Sequence, residues 1–247
     1  MKRITSIILS IALAASLTAC GTQAQNETAS ASARETSQMP ETSSEEETVS
    51  AAETSEAETS DEAEAADGFG NVLIAYFSWA DNAVLDDDVD AVASPSVVAP
   101  GNVEQLAGWI QERTGGDLFS IRVSDPYPSD WDACLERANE ERGEGARPEL
   151  VEFPEDMENY DVVFLGYPNW WYGVPMALLT FLENSDLSGK QVYLFCSHGT
   201  GGLARSVDII TEALPDAEIS DSVFDCYEEE ASGSREEIES WLAGLGY

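Results

Sequence analysis

A doubly wound α/β fold with a mostly parallel sheet is what residues 68–247 predict, and three observations point to it. Strand-length apolar runs alternate about five times with helical patterns from Gly68 onward. The strongest runs are apolar at successive positions rather than alternate ones, as strands covered on both faces require. Each is followed by a loop rich in hydroxyl, glycine or aromatic residues, at the strand ends where such folds bind ligands.

Taken in order, Asn71-Val-Leu-Ile-Ala-Tyr-Phe77 is the first strand and Val103 to Arg113 the first helix. Leu118 to Val123 is a shorter strand candidate, followed by a helix over Ser129 to Glu141. Val162 to Tyr167 and Val192 to Cys196 are the next two buried strands, each leading to a helix, Pro175 to Glu183 and Leu203 to Ala213. Ile219 to Asp225 is the last strand candidate and Arg235 to Ala243 the last helix. The segment between Trp79 and Gly101 breaks this rhythm with Asp86-Asp87-Asp88, Asp90 and two prolines. A loop that long inside a compact domain is usually functional or mobile.

The amino-terminal part reads differently. Residues 1–20 form a signal segment: Lys2 and Arg3 precede an apolar run, Ile4 to Leu17, that is short for a bilayer span. It ends in Leu17-Thr18-Ala19-Cys20 before Gly21, which resembles the lipobox of bacterial lipoproteins, with Cys20 as the lipidated residue. The alternative is an ordinary cleaved signal. Residues 21–67 are almost entirely Ser, Thr, Ala and Glu with no aromatic, so they bury too little apolar surface to offset their ordering entropy. A disordered acidic tether is expected, about 35–40 Å end to end before charge repulsion extends it. The chain would then sit lipid-anchored on the outer face of the bacterial cytoplasmic membrane, with two acyl chains on Cys20 giving stable anchoring.

With 11 Lys plus Arg against 48 Asp plus Glu, the formal net charge is −37. That excludes a general nucleic-acid binder, whose affinity comes from cations displacing phosphate counterions. It also disfavours direct contact with anionic lipid, leaving the anchor as the link to the membrane. Hydrophobic residues at 43% and aromatics at 9% are ordinary for a globular core.

Three loops could carry chemistry. The first opens with Ser78 at a strand end and closes with Gly101-Asn102-Val103 at a helix start, offering a hydroxyl, backbone N–H groups and a positive dipole end to a phosphate. A Ser turn and an Asn cap without ligand would look the same. The second, Tyr167-Pro168-Asn169-Trp170-Trp171-Tyr172-Gly173-Val174-Pro175, sets three aromatics between two prolines, a stiff shelf suited to a flat conjugated ring. Capping the core or covering an interface is the alternative. The third, Cys196-Ser197-His198-Gly199-Thr200-Gly201-Gly202-Leu203, brings hydroxyls and close backbone approach, and matches neither a P-loop nor a dinucleotide fingerprint.

Together and in this order, Tyr76-Phe77-Ser78, Gly101-Asn102, Tyr167-Pro168 with Trp170-Trp171 and Pro175, and Gly199-Thr200-Gly201-Gly202-Leu203 resemble the flavodoxin-like FMN proteins, in particular bacterial lipoprotein members with a Trp-Trp flavin loop. The resemblance covers about residues 70 to 246. It implies a five-stranded parallel sheet in order 2-1-3-4-5 and noncovalent FMN. Carried over, Ser78, Gly101, Asn102 and Val103 would hold the phosphate, Pro168 and Asn169 to Gly173 would flank the flavin ring, and Ser197, His198, Gly199, Thr200, Gly201 and Gly202 would line its pyrimidine edge. The family's phosphate loop is a short Thr/Ser-x-Thr-Gly-Asn-Thr turn. Here Ser78 is separated from Gly101, and Val103 replaces a hydroxyl worth on the order of 1 kcal/mol as a hydrogen bond.

His198 is the sole histidine, so a multi-His metal site is excluded and no metal is expected. A Ser-His-Asp hydrolase would have to use Ser78 or Ser197 without a Gly-x-Ser-x-Gly elbow. Cys134, Cys196 and Cys226 lack Cys-x-x-Cys spacing and are expected as small buried hydrophobes, although one disulfide could form outside the cytoplasm. The acidic runs at Asp86 to Asp90 and Glu228 to Glu230 read as solvated faces. The leading expectation is thus a tethered FMN redox protein, either an electron carrier working with a redox partner protein or a quinone-reductase-like enzyme reducing a small acceptor. Its acidic domain should disfavour anionic reduced flavin and make it a strong reductant. The rival is a flavin-free binding lipoprotein on the same fold.

Overall fold

The computed structural model describes residues 70–85 and 94–247. The signal segment, Cys20, the tether and Asp86 to Asp90 lie outside the described residues. β1 (Val72–Tyr76) and β5 (Val162–Pro168) are buried at every position, because each has a parallel neighbour on both sides and helices on both faces. The apolar runs are continuous for that reason. Leu73, Ala75 and Phe77 point into one core layer, and Val72, Ile74 and Tyr76 into the other.

α1 (Asn102–Thr114) and α5 (Arg235–Leu245) cover the second layer through Leu106, Ile110, Ile238 and Leu242. α2 (Trp131–Glu144), α3 (Met176–Asn184) and α4 (Ser206–Ala213) cover the first through Cys134, Ala177, Phe181 and Ile210. Asp130 caps α2, its carboxylate accepting the Ala133 N–H at 2.8 Å.

The strand order is β3 (Asp117–Ser120), β1, β5, β6 (Gln191–His198), with β7 (Glu218–Ile219) and β8 (Phe224–Tyr227) both pairing with β6, and every pair is parallel. Taking β7 and β8 as halves of one strand gives the expected order 2-1-3-4-5. The split corrects the single strand expected over Ile219 to Asp225. On β6 the register runs from Val192 to Phe195 while its partner runs from Ile219 to Phe224, so the partner carries two extra residues. They loop out within Ser220 to Val223, where the Ser222 N–H turns back to Ser220 Oγ.

Other boundaries moved as well: β3 ends at Ser120 rather than Val123. α4 starts at Ser206 rather than Leu203, since Gly202 and Ala204 take φ of 58° and 45°, left-handed values a right-handed helix cannot contain. A two-stranded sheet, β2 (Ala83–Val84) with β4 (Tyr127–Pro128), was not foreseen and ties the start of the long loop to the segment before α2. Gly166 is required where β5 meets β6: a Cβ there would lie 2.2 Å from the ring of its registered partner Phe195.

Candidate functional site

Because β1, β5 and β6 run parallel, the loops that follow them emerge at the same sheet edge. They enclose a cleft of about 240 Å³.

The loop after β1 does close. Its first turn is pinned by Asn82, which is buried and donates from Nδ2 to the carbonyls of Ser78 and Ile121 while its Oδ1 accepts the Val123 N–H at 2.8 Å. Trp79 is 2% exposed and donates from Nε1 to the Pro128 carbonyl at 3.1 Å. On the return side Ser94 donates to Glu228 Oε2 at 2.8 Å. The chain then reaches Gly101, so close to Ser78 that a Cβ would sit 2.1 Å from its Oγ. The split between Ser78 and Gly101 is therefore a feature of the sequence that the fold undoes. Ser78 Oγ is buried and has no hydrogen-bond partner among the described residues, a state costing about 1–3 kcal/mol unless a ligand fills it. Val103 turns its side chain into the core layer under α1. Its backbone N–H belongs to the first helical turn, whose donors have no intrahelical partner.

The loop after β5 holds the aromatics in a tight turn. The Gly173 N–H donates to the Trp170 carbonyl at 3.0 Å, and the two central residues, Trp171 and Tyr172, have φ of 54° and 60°. Such values cost bulky residues on the order of 1–3 kcal/mol each and persist only where the surroundings impose them. Here Arg142 Nη1 donates to the Trp171 carbonyl at 2.7 Å, and the Arg205 N–H donates to the Tyr172 carbonyl at 3.3 Å. The three rings differ in role. Trp170 packs edge-on against Phe77, Tyr127 and Trp79, with centroids 5.4, 5.2 and 6.3 Å away. Trp171 is half-buried, and Tyr172 is 64% exposed.

The loop after β6 is cross-linked to both others. Asn169 Nδ2 donates to the Gly202 carbonyl, and the Asn169 N–H donates to that of Ser197 at 2.9 Å. Asn102 Nδ2 donates to Ser197 Oγ at 3.2 Å and to the Glu228 carbonyl at 2.8 Å, so its side chain staples α1 to β6 and to the end of β8. His198 lies between the Gly199 carbonyl on Nδ1 and Asp225 on Nε2. A hydrolytic triad would need a serine at one of those nitrogens.

The electrostatics are one-sided: among the described residues lining the cleft there is no Lys or Arg, while Glu228 contributes an acid. At the head of α1, Glu104 accepts the Gly101 N–H at 3.0 Å. Burial, then the nearby Asp81 charge, raises the Glu104 pKa above the usual carboxylate value. Cys134 lines the cleft as an inert thiol, its pKa pushed up to about 12 by burial. Cys196 and Cys226 are also free and buried.

Of the residues expected at a ligand, Pro168, Asn169, Trp170, Trp171 and Tyr172 line the cleft, as do Ser197, His198, Gly199, Thr200 and Gly201. Ser78, Gly101, Asn102, Val103, Gly173 and Gly202 are not among the residues that line it. Sequence reasoning missed one wall. Trp79, Ser94 and Ser96 come from the long loop, Glu228 follows β8, and Trp131, Cys134, Leu135 and Ala138 come from α2.

A parallel doubly wound sheet with a ligand cleft at its carboxyl edge, an anion-ready helix head and an aromatic shelf defines a nucleotide-type cofactor protein. The model of the flavodoxin family matches residues 91–244, and the chain belongs to that family. Flavodoxin 1 of Salmonella typhimurium is 26% identical over 118 residues, 46% of this chain and 51% of that protein, so the chain spans about half the length of the curated relative it matches. Among solved structures, a candidate flavoprotein from Bacteroides eggerthii is 25% identical with a TM-score of 0.54, covering 72% of this chain and 99% of that one. One from Bacteroides uniformis is 21% identical with a TM-score of 0.55, covering 71% and 99%. FMN is the cofactor of this family, and the residues present fit it: a buried Ser78 hydroxyl without a partner among the described residues is held against Gly101, where the first turn of α1 offers its free N–H groups to a phosphate.

Proposed function

We propose that this flavodoxin-family protein is an FMN-dependent redox protein, anchored through a lipid on Cys20 to the outer face of the bacterial cytoplasmic membrane. It passes electrons to a partner protein or a small acceptor. FMN when bound supplies one- and two-electron chemistry that no side chain offers. The chain's residues bind and orient it. Ser78 and the first turn of α1 take the phosphate, the Trp171 and Tyr172 shelf takes the ring, and the loop from Ser197 to Gly202 takes the pyrimidine edge. Exposed Tyr172 and half-exposed Trp131 flank the cleft, which suits transfer to an acceptor arriving from solvent.

The observation that carries the reading is the buried Ser78 hydroxyl, unpartnered at the head of α1 in a chain of this family. The test is an absorption spectrum of the full-length protein, with heat-released flavin identified chromatographically and apoprotein titrated with FMN. Yellow protein releasing FMN is expected. A colourless protein that takes up no FMN would leave the flavin-free binding lipoprotein in its place.

A further inference from the structure

We propose that His198 is held as an imidazolium cation, and that this charge tunes how tightly the cleft holds reduced relative to oxidised FMN. The second half of this statement rests on the FMN reading above, whereas the first does not. His198 Nδ1 faces the Gly199 carbonyl at 2.9 Å, and Nε2 faces Asp225 Oδ2 at 2.8 Å. Both partners are acceptors. A neutral imidazole carries one N–H and would leave a ring lone pair against an oxygen lone pair, whereas the cation fills both bonds. The side chain is 12% exposed, so water has little room to relieve the mismatch.

The groups around it agree in sign. β8 presents Asp225, and Glu228 follows it, with the Glu228 N–H bound to the His198 carbonyl at 2.8 Å and Oε1 3.4 Å from where a Gly199 Cβ would stand. The Tyr227 ring stands nearly perpendicular to the imidazole at 6.3 Å. Among the described residues lining the cleft, His198 is the one that can be cationic. Flavin that takes two electrons from a donor and one proton from water gains one negative charge, so a fixed cation at its rim favours the reduced form. The acidity of the whole domain acts in the opposite sense, and the imidazolium cancels the share carried by its partner Asp225.

Two measurements test this on the full-length, tag-free chain. Because the sequence holds one histidine, a long-range nitrogen–proton spectrum of the apoprotein at pH 7 reports its ring alone. Protons on both nitrogens are expected, with one lost in Asp225→Asn. A bare ring nitrogen in the parent overturns the proposal. Redox titration with dithionite then compares holoprotein with His198→Gln. The preference for reduced FMN should fall about tenfold, equivalent to a two-electron potential about 30 mV lower. An unchanged potential in a variant that still binds FMN overturns the tuning role. Failure of the parent to bind FMN sinks both the FMN reading and the tuning role, and the ring spectrum still decides the charge.

Discussion

Arg142, in the last turn of α2, donates from Nη1 to the Trp171 carbonyl at 2.7 Å, across the cleft wall from the sheet. Its partner peptide is one of two consecutive left-handed aromatics, so removing the donor should let the turn relax and the ring lose its orientation. Arg142→Ala is expected to weaken FMN binding about three- to tenfold, in line with a lost charge-assisted hydrogen bond of roughly 1 kcal/mol. Arg142→Lys, which can still donate, should recover most of it. Equal FMN affinity in all three proteins by fluorescence titration would show that the turn holds itself.

The phosphate cradle gives a paired prediction. Ser78→Ala removes a buried hydroxyl that lacks a protein partner, so the apoprotein should be as stable as the parent or slightly more so. FMN affinity should fall by about tenfold, while riboflavin affinity should be unchanged because it lacks the phosphate. Gly101→Ala drives a Cβ into Ser78 Oγ and should damage both binding and stability. Equal losses for FMN and riboflavin in Ser78→Ala would place the phosphate elsewhere.

How much of this site could be read in the sequence depended on whether a residue's pattern had an alternative meaning. Trp170-Trp171 and the glycines after His198 stand in loops, where no periodicity competes for them, and they were legible. Cys134, Leu135 and Ala138 occupy ordinary core-facing spacing on α2, so their position on the cleft cannot be told from packing. Ser94, Ser96 and Trp79 lie in the one stretch without rhythm, and their placement depends on Asn82 and Glu228, partners distant in sequence. The split of the fifth strand was hidden because Ser220 and Ser222 differ little from exposed strand residues until they bond to each other.

Glu104 links the site to pH. Its pKa is raised, by burial first and then by Asp81, so the folded state binds this proton more tightly than the unfolded chain. The stabilising contribution is present at acid pH and is lost as pH rises from the ordinary carboxylate value through the raised one. Glu104→Gln keeps an acceptor for the Gly101 N–H and removes the charge. Its stability should gain slightly on the parent at neutral pH and converge with it below the carboxylate range. FMN affinity at pH 7 should also rise, since the carboxylate charge on the Gly101 N–H, at the helix head proposed to take the phosphate, is gone. Urea unfolding at several pH values, with FMN titration at pH 7, checks both, and a gap that widens on acidification would contradict the sign.

The anchor proposal concerns residues read from sequence. Cys20→Ala should move the protein from the membrane to the soluble fraction. Deleting residues 25–65 should leave the melting temperature nearly unchanged, given their composition. Membrane partition that survives the substitution would remove the lipid anchor.

The aromatic shelf yields the sharpest separation of roles, because its three rings are neighbours in sequence and differ in surroundings. Trp170 is wedged among Phe77, Tyr127 and Trp79, so Trp170→Ala opens a space at the edge of the core. A stability loss of about 2–3 kcal/mol is expected, below the range for a fully buried Trp because the ring is partly exposed. Among the described residues Trp171 and Tyr172 make no such cluster, and their left-handed backbone is a strain that glycine, lacking a Cβ, relieves. Trp171→Gly should therefore leave stability unchanged or raise it. If its ring stacks on FMN, affinity falls by about ten- to a hundredfold, the equivalent of roughly 1–3 kcal/mol for an aromatic stack. Loss of stacked π-electrons should also make reduced flavin easier to form, raising the potential, the direction opposite to that for His198→Gln. Tyr172→Ala, from a 64% exposed ring resting over Gly201, should show the same signs in affinity and potential with a smaller loss. Thermal unfolding of the apoproteins, FMN titration and redox titration together sort the three. If Trp171→Gly and Tyr172→Ala both bind FMN as the parent does, at an unchanged potential, the flavin ring does not rest on this turn.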